Sequence, residues 1–195
     1  MSNRKIAVIV GILFFVQMIT AMIGSSLIAA FTDGNPDRTS LTIGVLLMMS
    51  SGLAVVGIGL LMYRILRTVN QKLAIWYPIM RVLEFTVSTI CGVYLLTQLQ
   101  QVSNDMLFIY IPTGIGGLIF TYLLFVSKYV PRFIALLGLV GYAALLLGMI
   151  LDFMGLTNMN DGIGMLFLAP GGLFEFVCLP VWLIAKGFKI PRSGS

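Results

Sequence analysis

Six long apolar runs determine most of what this chain can fold into. They cover residues 6–31, 41–66, 73–99, 106–127, 133–151 and 162–185. A helix needs about 20 apolar residues to cross a bilayer, and the runs lack the period of two that membrane strands would have. Short polar connectors separate the runs and leave no room for an extramembrane domain. The sequence therefore predicts an all-α polytopic integral membrane protein, with six transmembrane helices in one bundle and a single transmembrane domain over residues 1–195.

Charged residues are too scarce for the surface of a soluble protein. They make up 10% of the chain, against roughly a quarter in soluble domains, while apolar residues make up 59%. This composition excludes a soluble enzyme, a disordered tail and a disulfide-rich secreted module. The first apolar run is longer than a signal-peptide core of about 7–15 residues, so we expect it to be a retained span.

The basic residues predict the orientation. With the N-terminus inside, the cytoplasmic positions hold ten of the twelve Lys and Arg residues, and only Arg38 falls outside. The ten are Arg4, Lys5, Arg64, Arg67, Lys72, Lys128, Arg132, Lys186, Lys189 and Arg192. Because such a bias in short loops sets orientation, we expect both termini in the cytoplasm. The basic net charge of +5 then reflects topology and contact with anionic lipids, so no nucleic-acid partner is expected.

Residues suited to metal binding or catalysis are few. Histidine is absent, which excludes imidazole-bound haem, histidine-bound zinc and a histidine base. The two cysteines, Cys91 and Cys178, lie in apolar runs, where we expect small core residues without a disulfide. No pair of nucleophile and base is recognisable. The sequence predicts no cofactor, no metal and no catalytic residue, and an enzyme is the class that it favours least.

Three ionisable residues within the runs form the core of a candidate site: Arg81 and Glu84 in the third run and Glu175 in the sixth. A charge near the bilayer centre costs a few kcal/mol, so such residues need a reason to be there. At the helical rise, Glu84 and Glu175 each lie roughly 15 Å from the cytoplasmic edge. Gln17 and Tyr142 reach about the same depth and complete the candidate set.

Polar and small residues follow helical spacing on four of the runs. The four stripes are Tyr77/Arg81/Glu84/Ser88/Cys91, Gly171/Glu175/Cys178/Trp182, Leu13/Gln17/Thr20/Gly24 and Tyr110/Gly114/Gly117/Thr121. Each stripe marks one helix face, which we expect to point at neighbouring helices. Pro170 stands about one turn from Glu175 and can open the sixth helix beside that carboxylate.

These charges allow two interpretations. In the structural one, Arg81 pairs with Glu84 within its helix and Glu175 bonds across to a neighbour. In the functional one, they hold a proton, a cation or a small polar ligand. Two carboxylates facing one guanidinium would leave a net buried charge, so one carboxyl should take up a proton or recruit a cation. That count favours a site slightly, and a cavity reaching Glu175 would favour it further.

Several short motifs resemble one bacterial membrane-protein family, catalogued as domain of unknown function 4386. They occur in the family's order, as Leu66–Ala74, Met80–Phe85 with its Arg-x-x-Glu element, Pro131–Tyr142, Phe174–Glu175 and Trp182–Gly187. Met80 stands where the family usually has an aromatic residue. The resemblance implies six helices and a bacterial plasma (inner) membrane, and it implies no activity.

Together these observations predict a membrane protein with a mid-membrane polar site that binds or translocates a small solute, proton or cation. Arg81 would anchor the site, Glu84 would be its partner, and Glu175 would contact the ligand. The alternative is a non-transporting accessory or regulatory protein in which the same charges only lock the bundle. The expected partners are membrane lipids and that solute, and the sequence indicates no protein partner.

Overall fold

The computed structural model describes residues 1–34, 37–102, 105–159 and 161–189, and every regular element in those residues is helical. Six segments are long and apolar enough to cross a membrane, and we call them the first to sixth spans: Asn3–Thr32, Arg38–Leu66, Gln71–Gln98, Asp105–Ser127, Arg132–Phe153 and Gly162–Ala185. The predicted helical bundle of six spans is confirmed, and it indicates a multi-pass membrane protein. Arg192, which the charge argument counted, lies outside the described residues.

Polar caps extend the first two spans beyond their apolar runs. The second span begins at Arg38 because the Asp37 carboxylate accepts hydrogen bonds from the backbone N–H groups of Thr39 and Ser40. The Ser40 hydroxyl also donates to this carboxylate, and these bonds, the hydroxyl's first, hold the pKa of Asp37 below its ordinary value. Ser2 caps the first span in the same way.

The third span consists of two helices. A single turn, Gln71–Ala74, leads into the long helix Trp76–Gln98. The break has a simple cause, since Pro78 has no N–H to donate to the carbonyl of Ala74. The long helix then carries Arg81 and Glu84 in its second and third turns.

Each span packs against its neighbours in sequence, and the sixth closes on the first, so the six form a ring. Glycines bring the backbones close at two of these contacts. A Cβ on Gly24 would lie 2.8 Å from the carbonyl oxygen of Gly44, and one on Gly141 would lie 2.5 Å from the backbone nitrogen of Gly171. Small residues at such crossings are how membrane helices gain packing contacts.

The sixth span is more irregular than a single run suggests. It consists of a 3₁₀ helix Gly162–Phe167, an α-turn Ala169–Gly172, a π-helix Leu173–Cys178 and an α-helix Leu179–Ala185. Two prolines explain part of this, because Pro170 and Pro180 have no N–H for the carbonyls of the preceding turn. The sequence pointed to Pro170 but not to Pro180.

The ring has two unlike ends. The terminal end holds the start of the first span, the finish of the sixth and the connectors 67–70 and 128–131, and the far end holds the other connectors. At the terminal end Arg4 donates hydrogen bonds to the carbonyls of Leu183 and Ile184, at 3.2 and 2.6 Å. Most buried apolar side chains belong to one core that runs from this side through mid-height and reaches the far end at Leu107 and Met159, whereas Leu41, Val45 and Leu95 form a separate small cluster at the far end.

Candidate functional site

Arg81 lies at the centre of the candidate site and is among the most deeply buried side chains, at 2% exposure. Its Nη1 donates to Glu84 Oε2 at 2.6 Å, one turn further along the same helix. A charge-assisted bond of this length is strong. The second span leaves room for the arginine because it has a glycine there, and a Cβ on Gly59 would lie 3.2 Å from Arg81 Cβ.

The second terminal nitrogen of Arg81 reaches two other spans. Nη2 donates to the Tyr142 hydroxyl of the fifth span at 3.4 Å and lies 3.8 Å from Glu175 Oε1 of the sixth. The guanidinium carbon also lies 5.1 Å from the centre of the Tyr77 ring, which is within cation–π range. Nε has no hydrogen-bond partner among the described residues. Arg81 therefore links three spans, but it is closest to Glu84.

Glu175 owes its position to the π-helix. The N–H of Leu179 bonds back five residues to the carbonyl of Phe174, one residue further than in an α-helix. Pro180 follows directly and cannot donate to the preceding turn. Single π-turns of this kind are frequent at functional sites in proteins. The side chain of Glu175 is 14% exposed, beside the Tyr142 hydroxyl and at the longer distance from Arg81.

An aromatic cluster packs next to these polar groups. Tyr77 stacks on Phe120 with ring centres 4.6 Å apart, and Phe174 meets both Phe120 and Tyr142 edge to face. All four rings are buried. The sequence analysis included Tyr77 in one stripe and Tyr142 in the candidate set. It did not place Phe120 or Phe174 at the site, because nothing in the sequence distinguishes them from phenylalanines that face lipid.

A cavity of about 270 Å³ reaches Glu175. It lies between the fourth, fifth and sixth spans, and its wall consists of Tyr110, Thr113, Gly141, Tyr142, Leu145, Phe167, Leu168, Gly171, Gly172, Glu175 and Phe176. Because Tyr110, Leu145 and Phe167 belong to the far-end halves of their spans, the cavity extends from Glu175 toward the far end. The interior beside this carboxylate is therefore not close-packed.

A second, larger cavity of about 480 Å³ opens in the far half of the bundle. Residues of the first four spans line it, with Met165 of the sixth. Ser88 and Cys91, from the stripe that also carries Arg81, are part of its wall. The polar face of the third span thus runs from the arginine into this cavity.

Gln17 does not join the cluster. It is 8% exposed and lies where the first and second spans meet, since Ser51 Oγ donates to its backbone carbonyl at 3.1 Å. No hydrogen bond in the described part of the chain connects its side chain to Arg81, Glu84, Tyr142 or Glu175, and its Oε1 has no partner there. Equal depth placed Gln17 in the candidate set, but depth says nothing about which neighbour a helix face meets.

The described residues offer no ready metal centre. Within them no group of three or more His, Cys, Asp or Glu side chains could hold a metal ion. Cys91 and Cys178 are free thiols, and both are half-buried.

Comparison with known proteins gives one match. The family model described as "Domain of unknown function (DUF4386)" matches residues 9–106 and 91–187. No curated protein and no solved structure matches the chain. The matched segments together cover most of the sequence, with all of the second to sixth spans, most of the first, and Arg81, Glu84, Tyr142 and Glu175. The chain belongs to the family of domain of unknown function 4386.

Proposed function

We propose that this protein is a binding or translocating membrane protein whose ligand, a small solute, proton or cation, occupies the cavity at Glu175. One observation carries the proposal. The carboxylate of Glu175 forms part of the wall of a cavity of about 270 Å³, while the short ion pair of Arg81 goes to Glu84. A buried acid that lines a cavity, and whose partner Arg81 is held more closely by another carboxylate, is a group suited to a ligand.

The charge count supports the same conclusion. Arg81 brings one positive charge to Glu84 and Glu175, so full ionisation of all three leaves one negative charge in the bundle. In surroundings of low dielectric constant such a charge is costly, and a bound proton or cation removes the cost. A purely structural pair would need one acid only.

We further propose that the chain is a single transmembrane domain of a bacterial plasma membrane, with the terminal end in the cytoplasm. The basic residues support this orientation, since Arg4, Arg67, Lys128 and Lys186 all lie at the terminal end, whereas Asp33, Asp105 and Asp161 lie at the far end. Cysteines at positions 35 and 160, both outside the described residues, should then be labelled from outside intact cells, and one at Asn70 should not. Outside labelling of position 70 would contradict the orientation.

The alternative is an accessory protein in which the charges only lock the bundle. Contacts from Arg81 to Tyr142 and Glu175 favour it, because they tie the third span to the fifth and the sixth. In that case Glu175→Gln, which keeps the shape of the side chain and most of its hydrogen bonding, should change no ligand response.

The deciding experiment measures melting temperature in detergent from about pH 5 to pH 9 for the wild type and Glu175→Gln. Inorganic cations, amines, uncharged solutes and lipids serve as candidate ligands, and Asp33→Asn, at an exposed acid of the far end, is the control. A site predicts at least one stabilising ligand whose effect is lost in Glu175→Gln and kept in the control. If no ligand raises the wild-type melting temperature at any pH, and the difference between the wild type and Glu175→Gln is flat from about pH 5 to pH 9, the proposed function is wrong and only the structural interpretation remains.

A further inference from the structure

We propose that the cavity at Glu175 selects a small organic ammonium cation, an inference that rests on the proposed function and names its class of ligand. Three features of the cavity support it: one acidic group, several aromatic side chains and a size that suits a small molecule. The residues that carry the argument are Tyr110, Thr113, Tyr142, Phe167, Glu175 and Phe176.

The charge of the wall selects against anions. Among the described residues that line the cavity, Glu175 is the only Asp, Glu, Lys or Arg. Arg81 is not among the residues that line it, and its short ion pair goes to Glu84, with Glu175 Oε1 further away at 3.8 Å from Nη2. An anion entering the cavity would face the Glu175 carboxylate, whereas a cation would complete the charge balance of the two glutamates and the arginine.

The aromatic content distinguishes an organic cation from an inorganic one. Tyr110, Tyr142, Phe167 and Phe176 contribute four rings to the wall. Aromatic rings together with a carboxylate are the surroundings that bind ammonium groups, through cation–π attraction and a charge-assisted contact. A bare divalent cation instead needs several oxygen ligands, about six or more for calcium, and this wall offers one carboxylate and a few hydroxyls.

The volume of the cavity favours an ammonium ion over a proton as the ligand. A protonated glutamic acid needs no open space beside it, yet about 270 Å³ lies next to Glu175. Cavities for drug-sized ligands range from about 300 to 1,000 Å³, so this one fits a smaller molecule. Gly172 keeps part of the space free, because a Cβ there would meet only the Phe176 ring, at 3.7 Å.

The test uses the full-length protein in detergent and a matched pair of probes. Choline carries a quaternary ammonium group, and 3,3-dimethylbutan-1-ol has the same shape with carbon in place of the charged nitrogen. Titration calorimetry and thermal shift should detect choline and no binding of the alcohol. Glu175→Gln should weaken choline binding at least tenfold, and Phe176→Leu about fivefold. Phe133→Leu, at an exposed ring of the fifth span away from the cavity, should leave it unchanged.

A second variant covers the case in which Glu175→Gln does not fold. Gly172→Ala adds one methyl group to the cavity in a helical turn that accepts it, and Gly57→Ala does the same outside the cavity, where a Cβ would meet only Leu13 at 3.5 Å. Gly172→Ala should weaken tetraethylammonium more than methylammonium, and Gly57→Ala should weaken neither.

Each outcome decides one claim. Equal binding of choline and the neutral alcohol overturns the ammonium inference, as does choline binding that persists in Glu175→Gln. Where Glu175→Gln does not fold, tetraethylammonium binding that Gly172→Ala weakens no more than methylammonium binding overturns it. If an inorganic cation or an uncharged solute binds in a Glu175-dependent manner and no ammonium probe does, the inference is wrong while the proposed function stands. Absence of binding by every class of ligand overturns both.

Discussion

The two ends of the bundle differ in how they are held closed. At the terminal end Arg4 bonds to the last carbonyls of the sixth span, Thr68 and Tyr129 share a hydrogen bond of 3.0 Å between neighbouring connectors, and the backbone N–H of Lys189 donates to the carbonyl of Tyr129 at 2.8 Å. At the far end a cavity of about 480 Å³ lies among the first four spans, beside the small apolar cluster of Leu41, Val45 and Leu95. Hydrogen bonds between spans and connectors therefore hold the terminal end closed, whereas the far end contains the larger cavity.

The polar cluster of Arg81, Glu84, Tyr142 and Glu175 lies between these two ends. The difference in packing between the ends indicates the side from which a ligand would reach it. Stacked and edge-to-face rings of Tyr77, Phe120 and Phe174 cover it on the side of the terminal core. The cavity at Glu175 extends the other way. A ligand that reaches Glu175 in this conformation enters from the far half, and passage through the protein requires the terminal end to part.

The largest effect should come from the residue that joins the two regions. Arg81→Ala leaves Glu84 and Glu175 without their cation, and breaking a buried pair costs about 3–5 kcal/mol in soluble proteins. We expect about 3 kcal/mol here, because membrane segments find substitute partners when they unfold. Reversible unfolding in mixed micelles measures it. The double variant Arg81→Ala/Glu84→Gln should recover part of the loss, and simple additivity of the two changes would mean that the residues do not interact.

Matched leucines measure the packing difference directly. Leu183 belongs to the terminal core and is fully buried, while Leu95 belongs to the small far-end cluster and lines the larger cavity. Truncation of a close-packed leucine creates a void, whereas truncation beside an existing cavity enlarges it at lower cost. We expect Leu183→Ala to cost about 2 kcal/mol of unfolding free energy, and Leu95→Ala to cost less than Leu183→Ala. Equal costs would show that the two ends are packed alike.

The two natural cysteines report access from each side. Cys91 lines the far-end cavity, and Cys178 packs against the terminal core. A small, charged methanethiosulfonate reagent should modify Cys91 at least about tenfold faster, because modification needs access of the reagent to the thiol. Mass spectrometry of Cys91→Ala and Cys178→Ala separates the two rates. Faster modification of Cys178 would reverse the assignment of the open end.

The smallest effect should come from the cap at the far end. The lowered pKa of Asp37 means that its carboxylate stabilises the fold above its ordinary value of 3.8, and that this contribution disappears as the pH falls through the folded-state pKa. Asp37→Asn caps the helix but cannot titrate in this range. Its melting temperature should therefore differ from the wild type in pH dependence only below about pH 4. A difference that persists unchanged in that acidic range would argue against the cap.

The number and extent of the spans could be predicted from the sequence because lipid imposes one requirement on every run: enough apolar length to cross. The pairing of Arg81 with Glu84 followed from their spacing, since residues three apart lie on one helix face. The neighbours of Gln17 could not be predicted, because neither depth nor spacing specifies the adjacent span. The π-helix at Glu175 could not be predicted from the sequence either. It depends on Pro180 and on packing of the sixth span against the first and fifth, and the sequence of the sixth span alone does not specify that packing.

The hydrogen bonds between Arg4 and the end of the sixth span have a consequence for the order of the spans along the chain. Because the first and last spans are bonded neighbours at one end of a closed ring, the order in which the ribosome supplies the six spans is not imposed by the ring itself. A circular permutant that joins the two ends through a short linker and opens the connector 67–70, where Arg67 and Asn70 are exposed, would preserve the direction of every span. Exposed connectors at element boundaries are where such rearrangements succeed. The chain could therefore begin at another span and still form the same bundle.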